Sequence, residues 1–206
     1  MKSLVLTLAL IEIFSIIHLV RPQNQDGFIS LDCGLSVDES PYTDPDSGLV
    51  YTTDSTLIQT GKSGRVDKAF DKLQIKPYLS MRYFPEGLRN CYGLNVTRDT
   101  TYFIGAMFLY GNYDDLNTYP NFDLYLGPNK WETIDLEGSK NGTWADIIHI
   151  PRSSFLQICL VKTGTTFPFI SAIEIRPLKN DTYGPLPGSL SNSFRNYFND
   201  SFGNIR

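Results

Sequence analysis

Along most of the chain, apolar and polar residues alternate with a period of two. Phe122, Leu124 and Leu126 alternate with Asp123 and Tyr125, and Ile173 and Ile175 alternate with Glu174 and Arg176. That period sends successive side chains to opposite faces of a pleated strand. The run from Tyr102 to Tyr110 is apolar nearly throughout, which predicts a strand covered on both faces. Further strands are predicted at Phe28–Asp32, Leu49–Thr53, Tyr78–Phe84, Trp131–Leu136, Ala145–Ile150 and Phe155–Lys162. Turn clusters separate them: Pro41 to Gly48, Pro85-Glu86-Gly87, Gly111 to Pro120, Lys140-Asn141-Gly142 and Thr163 to Pro168. No stretch sustains a helical period over about 12 residues, and only Ser63 to Lys72 has room for a helical turn. About nine or ten short strands at this spacing predict an all-β domain, a β-sandwich or jelly roll.

The two ends depart from this pattern. Met1-Lys2 precedes a nearly apolar run from Leu4 to Val20, interrupted by Glu12 and His18, and then a polar stretch through Asp26. A basic start, an apolar middle and a polar exit describe a secretory signal peptide, taken as residues 1–25. After Tyr183, Gly184-Pro185-Leu186-Pro187-Gly188 reads as a linker. Phe194, Tyr197, Phe198, Phe202 and Ile205 follow in a polar setting. They suit one helix face, or equally the first strand of a further module. The expected organisation is therefore a leader (1–25), one domain (26–183), and a linker with a tail (184–206).

Composition narrows the function. With 18 Lys+Arg against 22 Asp+Glu, the net charge of −4 lacks the basic excess of a nucleic-acid binder. Four sequons, at Asn95, Asn141, Asn180 and Asn199, agree with the leader in predicting a glycosylated extracellular protein. In an oxidising compartment the three cysteines predict one disulfide. Cys159 lies in an apolar strand and reads as a buried free thiol, while Cys33 and Cys91 flank turns, so Cys33–Cys91 is the expected bridge. Three scattered cysteines and little histidine do not make a zinc site, and no metal or cofactor is expected. Outside the leader the one histidine is His149, in the run Ile147-Ile148-His149-Ile150, which reads as a packed strand residue.

Catalytic patterns are wanting. Gly61-Lys62-Ser63 resembles the end of a phosphate-binding loop, but Thr56 stands where that motif needs its first glycine. Glycoside hydrolysis needs two carboxylates at a set separation; Asp114, Asp115, Asp123, Glu132 and Glu174 show no such pairing. The 12 Tyr, 13 Phe and 2 Trp fit binding better. Sugars offer apolar C–H faces to aromatic rings, and their hydroxyls need carboxylates and amides. Tyr110, Asn112, Tyr113 and Asp114, where a strand enters a loop, combine these groups and are the candidate ligand-binding residues. The same residues also suit a core position and ordinary turn chemistry.

Several segments resemble one family. They include Phe28-Ile29-Ser30-Leu31-Asp32-Cys33-Gly34, Arg82-Tyr83-Phe84-Pro85, Arg89-Asn90-Cys91-Tyr92, Tyr110-Gly111-Asn112-Tyr113-Asp114 and Ile175-Arg176-Pro177-Leu178. In order and spacing they resemble the plant malectin-like extracellular domains at the N-terminus of leucine-rich-repeat receptor-like kinases. The resemblance implies a β-sandwich of the carbohydrate-binding-module type. In the animal protein malectin that fold binds a glucose disaccharide of N-glycans through aromatics and an acid. The resemblance implies that the Tyr110–Asp114 segment corresponds to its aromatic pair and the loop Gly164-Thr165-Thr166-Phe167-Pro168 to the region of its acid, where this chain has none. Expected partners are therefore a cell-wall or N-glycan oligosaccharide, or peptide ligands and receptor ectodomains. Family receptors usually add a second module, leucine-rich repeats, a transmembrane helix and a kinase. Their absence here leaves the expectation of a short secreted protein, such as a decoy, or of a truncated gene product.

Overall fold

The computed structural model describes residues 25–70, 75–179, 182 and 189–191. Most of the expected leader, the sequons at Asn180 and Asn199, and the aromatic tail from Phe194 lie outside the described residues. Gln25, assigned to the leader's last position, donates from Nε2 to the Gly48 carbonyl and accepts from the Val50 amide, both at 2.9 Å.

Fourteen strands form among the described residues. They are β1 (Ile29–Asp32), β2 (Tyr42–Thr43), β3 (Val50–Thr53), β4 (Lys62–Arg65), β5 (Ser80–Tyr83), β6 (Arg89–Asn95) and β7 (Tyr102–Phe108). There follow β8 (Asn121–Leu126), β9 (Asn129–Asp135), β10 (Thr143–His149), β11 (Phe155–Lys162), β12 (Phe169–Ile170), β13 (Ala172–Pro177) and β14 (Ser189–Ser191). A seven-stranded sheet runs β14-β10-β7-β13-β1-β3-β2, and a four-stranded sheet runs β6-β11-β8-β9. A smaller, three-stranded sheet runs β12-β5-β4. All pairings are antiparallel except β1 with β3.

Alternation decides what each sheet buries. From the seven-stranded sheet, Ile104, Ala106, Phe108, Ile173, Ile175, Ala145 and Ile147 enter the core. From the four-stranded sheet come Tyr92, Leu94, Phe122, Leu124, Ile134, Ile158 and Leu160. The Phe108 and Phe122 rings meet edge to face across the layers at 5.7 Å. β7 is buried along its whole length, as its unbroken apolar run predicts. The helical turn expected within Ser63 to Lys72 is a 3-10 turn at Lys68–Phe70, and it follows the short strand β4. β14 falls in the stretch expected as linker and tail, and it pairs with the edge of β10.

The polar centre of the fold is Asp54, fully buried just after β3. Arg82 of β5 forks onto it, Nε to Oδ2 and Nη2 to Oδ1, both at 2.6 Å. Tyr92 of β6 donates to Oδ2 at 2.8 Å, and the Gly34 amide after β1 donates to Oδ1 at 3.0 Å. Gly34 has φ +78°, and a Cβ there would sit 2.0 Å from the Met81 carbonyl oxygen, so only glycine brings that amide into place.

The expected Cys33–Cys91 bridge is corrected: the disulfide joins Cys91 to Cys159. Cys91 does not flank a turn. It lies inside β6, directly opposite Cys159 of β11, with Cα atoms 4.0 Å apart. Strand alternation sends Tyr92 inward and Cys91 outward. Cys33 is buried in the core as a free thiol. Its pKa is pushed up by burial and by the nearby Asp54 carboxylate.

Asp32 ends β1 beside this cluster and is also fully buried. Tyr42 donates to its Oδ2 at 2.7 Å. Burial outweighs that hydrogen bond and the nearby Lys76 charge, and pushes the Asp32 pKa up to about 7. Below the ordinary carboxylate pKa, folded and unfolded chains both hold this proton and its contribution to stability is complete. As pH rises toward about 7 the unfolded chain releases the proton first, so that contribution is lost. Urea unfolding of the folded chain should show stability falling between pH 4 and 7, with a flatter profile in Asp32→Asn. Replacing Arg82 with Met strands a buried charge and should cost about 3–5 kcal/mol in the same assay.

Candidate functional site

The loop that follows β7 is built around one hydroxyl. Tyr110 is buried, and its Oη donates to Asp114 Oδ1 at 2.5 Å and accepts the Thr118 amide at 3.2 Å. Burial, then the hydrogen bond to Asp114, pushes its pKa up to about 12. Asp114 Oδ1 also accepts the Leu116 amide at 3.2 Å, and Asn112 Oδ1 accepts the Asn117 amide at 2.9 Å. Asn112, Asp115 and Asn117 all have φ between +50° and +58°. Asn and Asp are the non-glycine residues that best tolerate this left-handed region, which explains their concentration here. At Gly111 a Cβ would lie 2.4 Å from Val66 Cγ1, so the segment after β4 packs flush against the loop. The Asp67 amide adds a bond to the Gly111 carbonyl at 2.8 Å.

Next to the loop is a cavity of about 270 Å³, near the lower end of the roughly 300–1,000 Å³ of small-molecule sites. Its walls are Tyr110, Gly111, Asn112, Asn117 and Tyr119 from the loop, Asp67, Ala69 and Phe70 from the segment after β4, and Ser139 and Lys140 from the turn after β9. Of the four residues expected from sequence, the structure brings Tyr110 and Asn112 to this cavity and leaves Tyr113 and Asp114 off its walls. Tyr113 turns inward against Tyr83, Tyr110 and Phe169, with ring centroids at 5.0, 5.6 and 5.7 Å. Its hydroxyl is buried without a hydrogen-bond partner among the described residues, and burial raises its pKa. Asp114 directs its carboxylate back into the loop.

Tyr119, which is not among the expected residues, reaches the cavity. It is 37% exposed, lines the cavity, and its ring stands 5.5 Å from that of Tyr110. Nothing in the local sequence singles it out, because it lies within the Gly111 to Pro120 turn cluster. Lys140, Phe70 and Asp67 reach the cavity only through the folding of distant segments.

The carboxylates on the strands each have their own surroundings. Glu174 is buried, accepting from Tyr51 and from Arg176. Asp123 faces out from β8, paired with Lys130 at 2.8 Å and bonded by Thr133 at 2.8 Å. Burial and the nearby Asp146 raise the pKa of Glu132 on β9. His149 ends β10 with Nδ1 2.7 Å from Ser189 Oγ, and its pKa is lowered by burial and then by Arg152. No group of three or more His, Cys, Asp or Glu side chains suited to a metal ion occurs among the described residues. No helix among them is long and apolar enough to cross a membrane.

Comparison with known proteins gives a consistent result. The malectin-like domain family matches residues 31–206. A receptor-like protein kinase of Arabidopsis thaliana is 56% identical over 199 residues, covering 97% of this chain and 22% of the relative. A leucine-rich repeat receptor-like protein kinase of the same plant is 59% identical over 201 residues, covering 98% and 22%. The chain thus spans about a fifth of the length of the curated relatives it matches, and their kinase region lies outside it. Among solved structures, the ANX2 ectodomain from Arabidopsis thaliana aligns with TM-score 0.64 at 20% identity, over 74% of this chain and 42% of that one. FER, crystallised with the plant peptide RALF23 and LLG2, aligns with TM-score 0.58 at 14% identity, over 80% and 44%.

If Tyr110 Oη holds the loop, Tyr110→Phe should leave the domain folded but expose the Thr118 amide. Hydrogen exchange at Thr118 should then rise about tenfold or more, the effect of losing roughly 1.4 kcal/mol of local protection.

Proposed function

Because this chain belongs to the malectin-like domain family, we propose that it is a non-catalytic recognition module that binds a short oligosaccharide in the cavity beneath Tyr119, outside the cell. The observation that carries this reading is the makeup of the cavity. A half-exposed tyrosine stands beside two amides, a hydroxyl, an ammonium and a carboxylate: Asn112, Asn117, Ser139, Lys140 and Asp67. An aromatic wall suits the C–H face of a sugar ring, and the polar groups suit its hydroxyls. The hydrogen-bonded loop presents these groups on a rigid frame, which lowers the ordering cost of binding. Among the described residues the cavity has one carboxylate on its walls, Asp67, where glycoside hydrolysis uses two.

A second reading, recognition of a peptide or a receptor ectodomain, is favoured by the FER complex with RALF23 and LLG2. The two readings differ in what the cavity takes. On a glycan array followed by calorimetry, the secreted domain should bind an oligosaccharide, and Tyr119→Ala should weaken it about tenfold, the scale of one aromatic contact. Leu88→Ala, exposed and away from the cavity walls, should leave binding unchanged. Absence of any sugar signal, with binding to a peptide or ectodomain retained, would select the second reading.

A further inference from the structure

The sequon at Asn95 sits beside an aromatic ring with which it has no sequence proximity. Asn95 is exposed at the end of β6 and lies directly opposite Phe155, the first residue of β11, in the antiparallel ladder. Directly paired residues point to the same face of a sheet, so the Asn95 amide and the Phe155 ring rise together from the outer face of the four-stranded sheet. Among the described residues no hydrogen bond holds the Asn95 side chain, and Thr97, the third sequon residue, is exposed too.

The ring does not stand away into solvent. A Cβ on Gly93 would lie 2.7 Å from Phe155 Cζ, so the ring leans over the glycine backbone on the strand that carries Asn95. Its other side stays open, and Phe155 is 51% exposed. The backbone beneath is braced: the Ser153 hydroxyl donates to the Phe155 carbonyl at 2.7 Å, and the Val96 amide bonds the Ser154 carbonyl at 3.0 Å. A single exposed phenylalanine needs no explanation by itself. A ring leaning over the backbone of the strand that carries an accessible sequon asparagine is a different matter.

We infer that Asn95 is a glycosylation site whose first N-acetylglucosamine packs its apolar C–H face on the Phe155 ring, giving the glycan a fixed seat on this sheet. The inference rests on the extracellular reading proposed above. In the transfer, Asn95 Nδ2 bonds to C1 of the sugar, loses one proton, and displaces the lipid diphosphate of a lipid-linked oligosaccharide donor. The negative face of the ring attracts the slightly positive C–H groups of the sugar, and the contact covers apolar surface that the bare fold leaves in water. The attached glycan also covers the outer face around Gly93, next to the Cys91–Cys159 bridge.

The test uses the full chain secreted from a eukaryotic host, with occupancy at Asn95 and Asn141 read by peptide mass spectrometry. Glycans are trimmed to one N-acetylglucosamine, and melting is compared for the native chain, Thr97→Ala, Phe155→Ala and the double variant. Thr97→Ala, which abolishes the sequon, should lower Tm by about 2–4 °C when Phe155 is present, and leave it unchanged in the Phe155→Ala background. The sugar ring protons should show an upfield ring-current shift by NMR that disappears in Phe155→Ala. An equal Tm change in both backgrounds, or no ring-current shift, would overturn the seat on Phe155. An empty Asn95 with an occupied Asn141 would overturn the inference while sparing the extracellular reading; both sites empty would overturn the two together.

Discussion

Asp54 is fully buried, where a carboxylate is tolerated only if donors surround it. The four bonds it receives come from Arg82 (two), Tyr92 and Gly34, which belong to different parts of the chain. Arg82 lies on the three-stranded sheet, Tyr92 on the four-stranded sheet, and Gly34 follows β1 of the seven-stranded sheet. Any sliding of one sheet relative to the others would leave a buried charge short of donors. Apolar side chains fill the space between the sheets but are tolerant of small shifts; the carboxylate and its fork are not. The geometry of this cluster thus sets the register among the three sheets.

The same logic, at smaller scale, shapes the loop after β7. Tyr110 brings one hydroxyl into a polar turn, and the Asn and Asp side chains close around the backbone amides. Groups that look in sequence like ligand contacts are largely engaged with their own loop. The outer side of that framework lines the cavity with the Tyr119 ring and the Asn112 and Asn117 amides, joined by Asp67 from the segment after β4 and Lys140 from the turn after β9. The disulfide acts elsewhere, clamping β6 to β11 on the face turned away from the core. Core, cavity and outer face are therefore held by three independent devices.

The period-two pattern made the all-β class and most of the long strands legible, with β11 matching its expected limits of Phe155 and Lys162. Those strands could be read because one side of each must be apolar to meet a core. β6 escaped, although its alternation around Tyr92 and Leu94 is regular, because Gly93 and the polar residues at its ends resemble turn residues. Reading Cys91 as a turn residue then led to the wrong partner for it. β2 and β12 run only two residues, too short for any period to show, and β4 (Lys62–Arg65) has no apolar residue to mark a buried face. At the candidate site, Tyr110 and Asn112 were legible from local chemistry, whereas Tyr119 was hidden among turn residues and Lys140 and Phe70 are remote in sequence.

By itself, then, the order of residues determined which side chains must leave water, and with that the class of fold and the family resemblance. It also placed the sequons and the Asn/Asp-rich turn after β7, since both depend on neighbours a few positions apart. Only the tertiary structure decided which cysteines meet, which tyrosine reaches the cavity, and that Phe155 lies beside Asn95. Each of these depends on the pairing register of strands distant in sequence. That register is set by burying the whole core and by satisfying Asp54 at once, a condition no local pattern can express.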